Sequence, residues 1–136
     1  MNKIVDFNGI GYVAATFPVD ADTITYLTTN HLNAKTGNVD INGKNLAVTL
    51  GTDGKVKFGT GSEPVLGIII AYEMDGFASV QIKGGVDGVP TASTLTSGVK
   101  KIAVNSAGAI VANDGGKEIT VAKPSTSGSL FASIIL

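Results

Sequence analysis

The sequence predicts an all-β chain, folded as a sandwich or barrel, and three observations carry that expectation. Val and Ile together number 27 against 8 Leu, and Thr adds 14. Such β-branched side chains are stiff at χ1 and suit a pleated surface better than a helix. Turn pairs recur along the chain: Asn8-Gly9, Asn42-Gly43, Asp53-Gly54, Asp75-Gly76, Asp87-Gly88 and Asp114-Gly115. Asn-Gly and Asp-Gly tolerate the positive φ of tight reversals. Between these turns lie short apolar or alternating runs, at a spacing of roughly 8–12 residues. The 136 residues form one domain, long enough to bury a core without metal or disulfide.

The elements follow in order. Ile4, Val5 and Phe7 precede the first strong turn and read as an extended N-terminal arm over residues 1–8. Tyr12–Phe17 is a strand ended by Pro18. Residues 22–34 would put Ile24, Leu27 and His31 on one helical face, but the stretch is Thr-rich and Ile24 and Tyr26 alternate, so it is read as strand-like or irregular. Residues 20–35 hold little that must be buried and read as a linker. Val39–Ile41 meets Leu46–Leu50 across Asn42-Gly43. Lys55–Phe58 alternates, with Val56 and Phe58 on one face. Val65–Tyr72 is apolar on both faces, as a central strand would be, and Asp75-Gly76 joins it to Ala78–Lys83. Gly51–Gly61 and Gly84–Gly88 read as turns, and Ser93–Ser97 as a single turn before Gly98. Lys101–Val104 and Ala109–Val111 flank the reversal Asn105–Gly108. Glu118–Val121, the polar loop Pro124–Ser129 and a last strand, Leu130–Leu136, complete the chain.

Composition narrows the function. With no cysteine, disulfides, thiolate metal sites and a Cys nucleophile are excluded. Ten lysines balance eleven acids and Arg is absent, which is not the basic stripe of a nucleic-acid binder. The longest apolar run, Val65–Tyr72, has eight residues where a membrane helix needs about 20. The N-terminal residues do not read as a signal peptide, so synthesis in the cytoplasm is expected. Chain-wide charge is low and apolar content high, which predicts exposed apolar patches that serve as interfaces.

Chemical motifs are sparse. Gly9-Ile10-Gly11-Tyr12-Val13-Ala14 matches a dinucleotide-binding glycine pattern, but Pro18 follows too soon for the helix such a site needs, so it reads as a glycine turn. Asp20 with Asp22, and Glu73 with Asp75, are acid pairs that read as solvated turn residues. His31 has no partner to orient it as a base. Lys100-Lys101 neutralises too few phosphates for nucleic-acid affinity. Tyr12, Tyr26 and Tyr72, with five Phe, are expected to serve core packing. No enzyme activity, metal or cofactor is expected.

The stretch from Val65 to Asp114 carries a family resemblance. Val65-Leu66-Gly67-Ile68-Ile69 leads into the acidic turn Glu73-Met74-Asp75-Gly76. Then come Val80–Pro90, Ala92–Gly98 and Ile102–Val111, with Ser129–Leu136 as a closing strand. This order resembles the small capsid cement, or head-decoration, proteins of tailed bacteriophages. It covers about half the chain, and residues 19–50 depart from it.

The resemblance implies a small β-barrel or β-tulip-like unit that assembles as homotrimers. Such trimers sit on the outer surface of a mature virion capsid, at three-fold and quasi-three-fold positions, and clamp neighbouring major capsid (coat) protein subunits. It also implies an N-terminal arm that adds a strand to the coat protein. Asn2, Lys3, Ile4, Val5 and Phe7 are therefore the capsid-interface candidates. The competing readings are a tail, baseplate or fibre β-module. A glycan-binding version of that module would need an aromatic platform or an acid-lined groove.

Overall fold

The computed structural model describes residues 11–136 apart from positions 42 and 74. The described elements are β1 (Val13–Pro18), α1 (Ala21–Asn30), β2 (Ala47–Leu50), β3 (Val56–Lys57), β4 (Glu63–Pro64), β5 (Gly67–Glu73), β6 (Phe77–Lys83), β7 (Gly85–Pro90), β8 (Gly98–Val104), β9 (Ile110–Ala112), β10 (Lys117–Lys123) and β11 (Phe131–Ile135). They form two antiparallel sheets. One has the order β1-β6-β5-β2-β3 and the other β4-β8-β10-β11-β7, with β9 added beside β8. The all-β expectation holds.

Each sheet curls back toward its own far edge. Beyond β1, Val19 forms a parallel bridge with Val56 of β3, and the Asp20 N–H donates to the Val56 carbonyl at 2.9 Å. Beyond β7, Thr91 bridges Ile110 of β9, and the Ala92 N–H donates to the Ile110 carbonyl at 2.9 Å. The result is two half-barrels with a core in each. Val86, Val89, Ile102, Val104, Ile110, Val121 and Ile134 lie in the second sheet's core. Leu27, Val48, Val56, Ile69 and Val80 lie in the first's.

The wall between the cores explains the doubly apolar run. Ala47 of β2 pairs with Ile68 of β5, and both are buried in the second sheet's core. One residue along, Val48 and Ile69 point the other way, into the first sheet's core, with Val80 of β6 paired to Ile69. Strand alternation therefore feeds both cores at once. Gly67 is where this wall is tightest, since a Cβ there would strike the Gln81 carbonyl oxygen and Val80 Cγ1. Buried Gln81 then ties the sheets together: its Nε2 donates to the carbonyls of Lys83 (3.1 Å) and Gly85 (3.2 Å).

Several expectations are corrected. Residues 21–30 are α-helix rather than strand-like, and the 20–35 stretch is not a linker with little to bury. Thr23 and Leu27 are buried one helical turn apart, and Leu27 is fully enclosed. Asp20 caps the helix, accepting the Asp22 N–H at 3.1 Å. The hydroxyls of Thr25, Thr28 and Thr29 donate to the carbonyls of Ala21, Ile24 and Thr25, four residues back. That bonding lets β-branched Thr sit in a helix held by the burial of Leu27. Val39–Ile41 does not pair with Leu46–Leu50. Val39 bridges Leu32, and both Val39 and Ile41 are buried in the core beneath α1. Gly84–Gly88 is not merely a turn, because Gly85–Pro90 pairs with β11. Residues 93–97 are irregular rather than a helical turn, around buried Leu95. The loop 124–129 is as expected, except that Ser125 is buried. Its Oγ accepts the Leu95 N–H at 2.7 Å and donates to the Ser93 carbonyl at 3.3 Å.

Candidate docking surface

β1 is the outermost strand of the first sheet, paired on one side with β6. The chain arrives there across Gly84, whose φ is +102° and where a Cβ would lie 2.8 Å from both the Gly11 carbonyl oxygen and Tyr12 Cβ. Glycine lets the start of β1 press onto the β6–β7 turn. Tyr12 is left 67% exposed and Val13 49% exposed. Residues 11–19 carry no charge. The capsid-interface candidates Asn2, Lys3, Ile4, Val5 and Phe7 lie outside the described residues. The signal for the edge was in the sequence, as an uncharged run ending in Pro18, but only sheet order places it at the rim.

Tyr12 is thus no core residue. Tyr72 does pack against the first sheet's core, and Tyr26 meets Phe58 edge-on at 5.2 Å between ring centroids. Among the phenylalanines, Phe17 and Phe58 pack on the cores, whereas Phe77 and Phe131 are exposed. Phe131 lines a shallow depression with Gly43, Asn45, Asp87 and Gly88. Leu50, Ile70 and Val99 are exposed as well.

The titratable candidates fall on separate elements. Asp20 and Asp22 stand at the start of α1 and border an open cleft of about 370 Å³ with Tyr26, Lys57, Phe58 and Ser106. The sequence marked the two acids, but only the fold adds the aromatic wall, because Phe58 and Ser106 come from distant segments. Asp75 accepts the Phe77 N–H at 3.2 Å in the β5–β6 turn, a turn role as expected. His31 is half-buried at the end of α1, and burial, then the nearby Lys44 charge, push its pKa down. Lys100 and Lys101 line a groove with Val99 and Asp114. Gly11 leads into β1 and not into a helix, and the rest of the glycine motif, Gly9 and Ile10, lies outside the described residues. Among the described residues, no three His, Asp or Glu side chains converge as a metal site. No helix among them is long and apolar enough to cross a membrane.

No family model, curated protein or solved structure matches the chain.

Proposed function

We propose that the chain is a capsid decoration protein of a tailed bacteriophage. It binds the outside of the mature shell, with three copies gathering around each three-fold, and bridges coat subunits. Its role is mechanical, not catalytic: binding only the assembled state stabilises that state by mass action. The observation that carries this reading is the β1 edge. An exposed, uncharged sheet rim, as β1 presents at Val13, Ala14 and Thr16, suits the addition of a neighbouring protein's strand by main-chain hydrogen bonds. Many identical weak contacts on one shell then sum through avidity. The order of turns and strands from Val65 to Asp114 supports it independently.

A binding isotherm on shells built from the coat protein of the same genome tests the reading. Saturable binding to expanded shells and none to unexpanded ones is expected, and equal or absent binding to both overturns it. One observation favours a second reading, a glycan-binding fibre module. The cleft of Asp20, Asp22 and Tyr26 has the acid lining and aromatic wall that reading requires. Glycan binding without shell affinity would select it.

A further inference from the structure

We propose that the depression beside Phe131 is a saccharide subsite: it takes one neutral hexose, whose hydroxyls donate to Asp87 and Asn45 and whose C–H face stacks on the Phe131 ring. The inference goes beyond the capsid reading and needs no shell. It also uses none of the residues of the cleft at α1.

A β-bulge sets the carboxylate in place. Between the pairs Val86–Ile134 and Val89–Ala132, β7 has two residues, Asp87 and Gly88, where β11 has one, Ser133. The extra residue resets the alternation, so Val86 and Val89 both enter the core while Asp87 and Gly88 stay partly exposed. Ser133 is 1% exposed, and its hydroxyl donates to Asp87 Oδ1 at 2.7 Å. A buried hydroxyl thus fixes the orientation of a carboxylate at the surface.

Asn45, just ahead of β2, crosses from the first sheet to the second. Its φ of +53° is the one positive value among the described non-glycine residues. Its Nδ2 donates to the carbonyls of Asp87 and Gly88 at 2.7 and 3.4 Å. Both donors nearest the carboxylate are therefore spent inside the protein. Asn45 Oδ1 and Asp87 Oδ2 keep no partner among the described residues.

The lining selects the ligand class. The depression, about 240 Å³, is walled by the side chains of Asn45, Asp87 and Phe131 and by Gly43 and Gly88. No lysine lines it, so an anion would meet only the Asp87 charge. The free oxygens are acceptors, which hydroxyl groups satisfy by donating. Phe131 is 46% exposed, and the negative face of its ring attracts the C–H hydrogens a hexose carries on one side. The two glycines let a ring lie close against backbone. An ammonium would gain little from one carboxylate and one ring open to water, whereas a polyol makes several hydrogen bonds at once.

Two-dimensional NMR titrations of the full chain with the methyl pyranosides of glucose, galactose and mannose test this. At least one should bind saturably, with a Kd on the order of 1 mM for a ligand of about a dozen non-hydrogen atoms. The amide signals of Gly88 and Phe131 should move most. Asp87→Asn keeps the shape and removes the charged acceptor, so binding should weaken about tenfold. Phe131→Ala, at an exposed site, should weaken it similarly without moving the melt. Glu118→Gln, an exposed acid elsewhere on the second sheet, should leave affinity unchanged. The proposal is overturned by no binding of any of the three, by affinity indifferent to Asp87→Asn and Phe131→Ala, or by binding of tetramethylammonium alone. Sugar binding lost with Asp22→Asn and kept with Asp87→Asn also overturns it, and assigns the sugar to the cleft at α1. Shell binding is measured separately, so either proposal can fail while the other stands.

Discussion

Leu27→Ala is the sharpest probe of how residues 20–41 are held. Helix α1 has ten residues, too short to persist in water on propensity alone. Its one fully enclosed side chain is Leu27, packed in the core with Val19, Val39, Val48, Val56, Ile69 and Val80. Truncating a buried leucine removes its transfer free energy and leaves a cavity, a loss of about 2–5 kcal/mol. Unfolding entropy near the midpoint is about 2.1 cal/mol/K per residue. Over 136 residues that is about 290 cal/mol/K, so each kcal/mol moves the midpoint by about 3.5 °C. Leu27→Ala should therefore lower Tm by about 7–17 °C. The control is Thr28→Ala, exposed on the same helix, which should stay within about 0.5 kcal/mol of the parent. Thermal melts followed by far-ultraviolet circular dichroism compare the two. If Leu27→Ala melts with its control, α1 is not a packed part of the first half-barrel.

Three further outcomes are expected. Ile69→Asp buries an unpaired carboxylate at a site 1% exposed, a cost of several kcal/mol against a typical domain stability of about 5–15 kcal/mol. It should abolish cooperative folding, and a soluble variant with a sharp melt would show that β5 is not the shared wall. The pKa of Glu63 is lowered chiefly by the Thr60 backbone N–H and then by the Thr60 hydroxyl, which both donate to its carboxylate. A carboxyl whose folded pKa lies below its unfolded value adds stability at neutral pH and loses it as pH falls through the folded value. Denaturant titrations should thus find Glu63→Gln less stable than the parent at neutral pH and converging with it in acid, whereas a gap constant with pH would contradict the assignment. Deleting residues 1–7 should leave the melting transition intact and weaken shell attachment, and unchanged attachment would remove the arm from the mechanism.

The parts of the fold set by local pattern were legible. Val65–Tyr72 announced a strand, buried on both faces at Ile68 and Ile69 although Ile70 and Ala71 are exposed, and Asp75-Gly76 and Asn105–Gly108 announced the hairpins that follow. What failed depended on distant partners. The Thr-rich stretch at 22–30 becomes helix because Leu27 finds a core built from Val39, Val56 and Val80. Gly85–Pro90 becomes a strand because β11, some forty residues later, lies beside it. The site was legible in the same uneven way. The uncharged run at 11–19 is visible in the sequence, but its place at a rim follows from sheet order. The acids Asp20 and Asp22 are visible too, but the aromatic wall beside them is a product of the fold.

The most direct measurement is occupancy by electron cryo-microscopy of expanded shells saturated with the purified chain. Density for three copies over each three-fold, anchored through the segment leading into β1, is the predicted result. Bare three-folds at saturating protein would contradict the account.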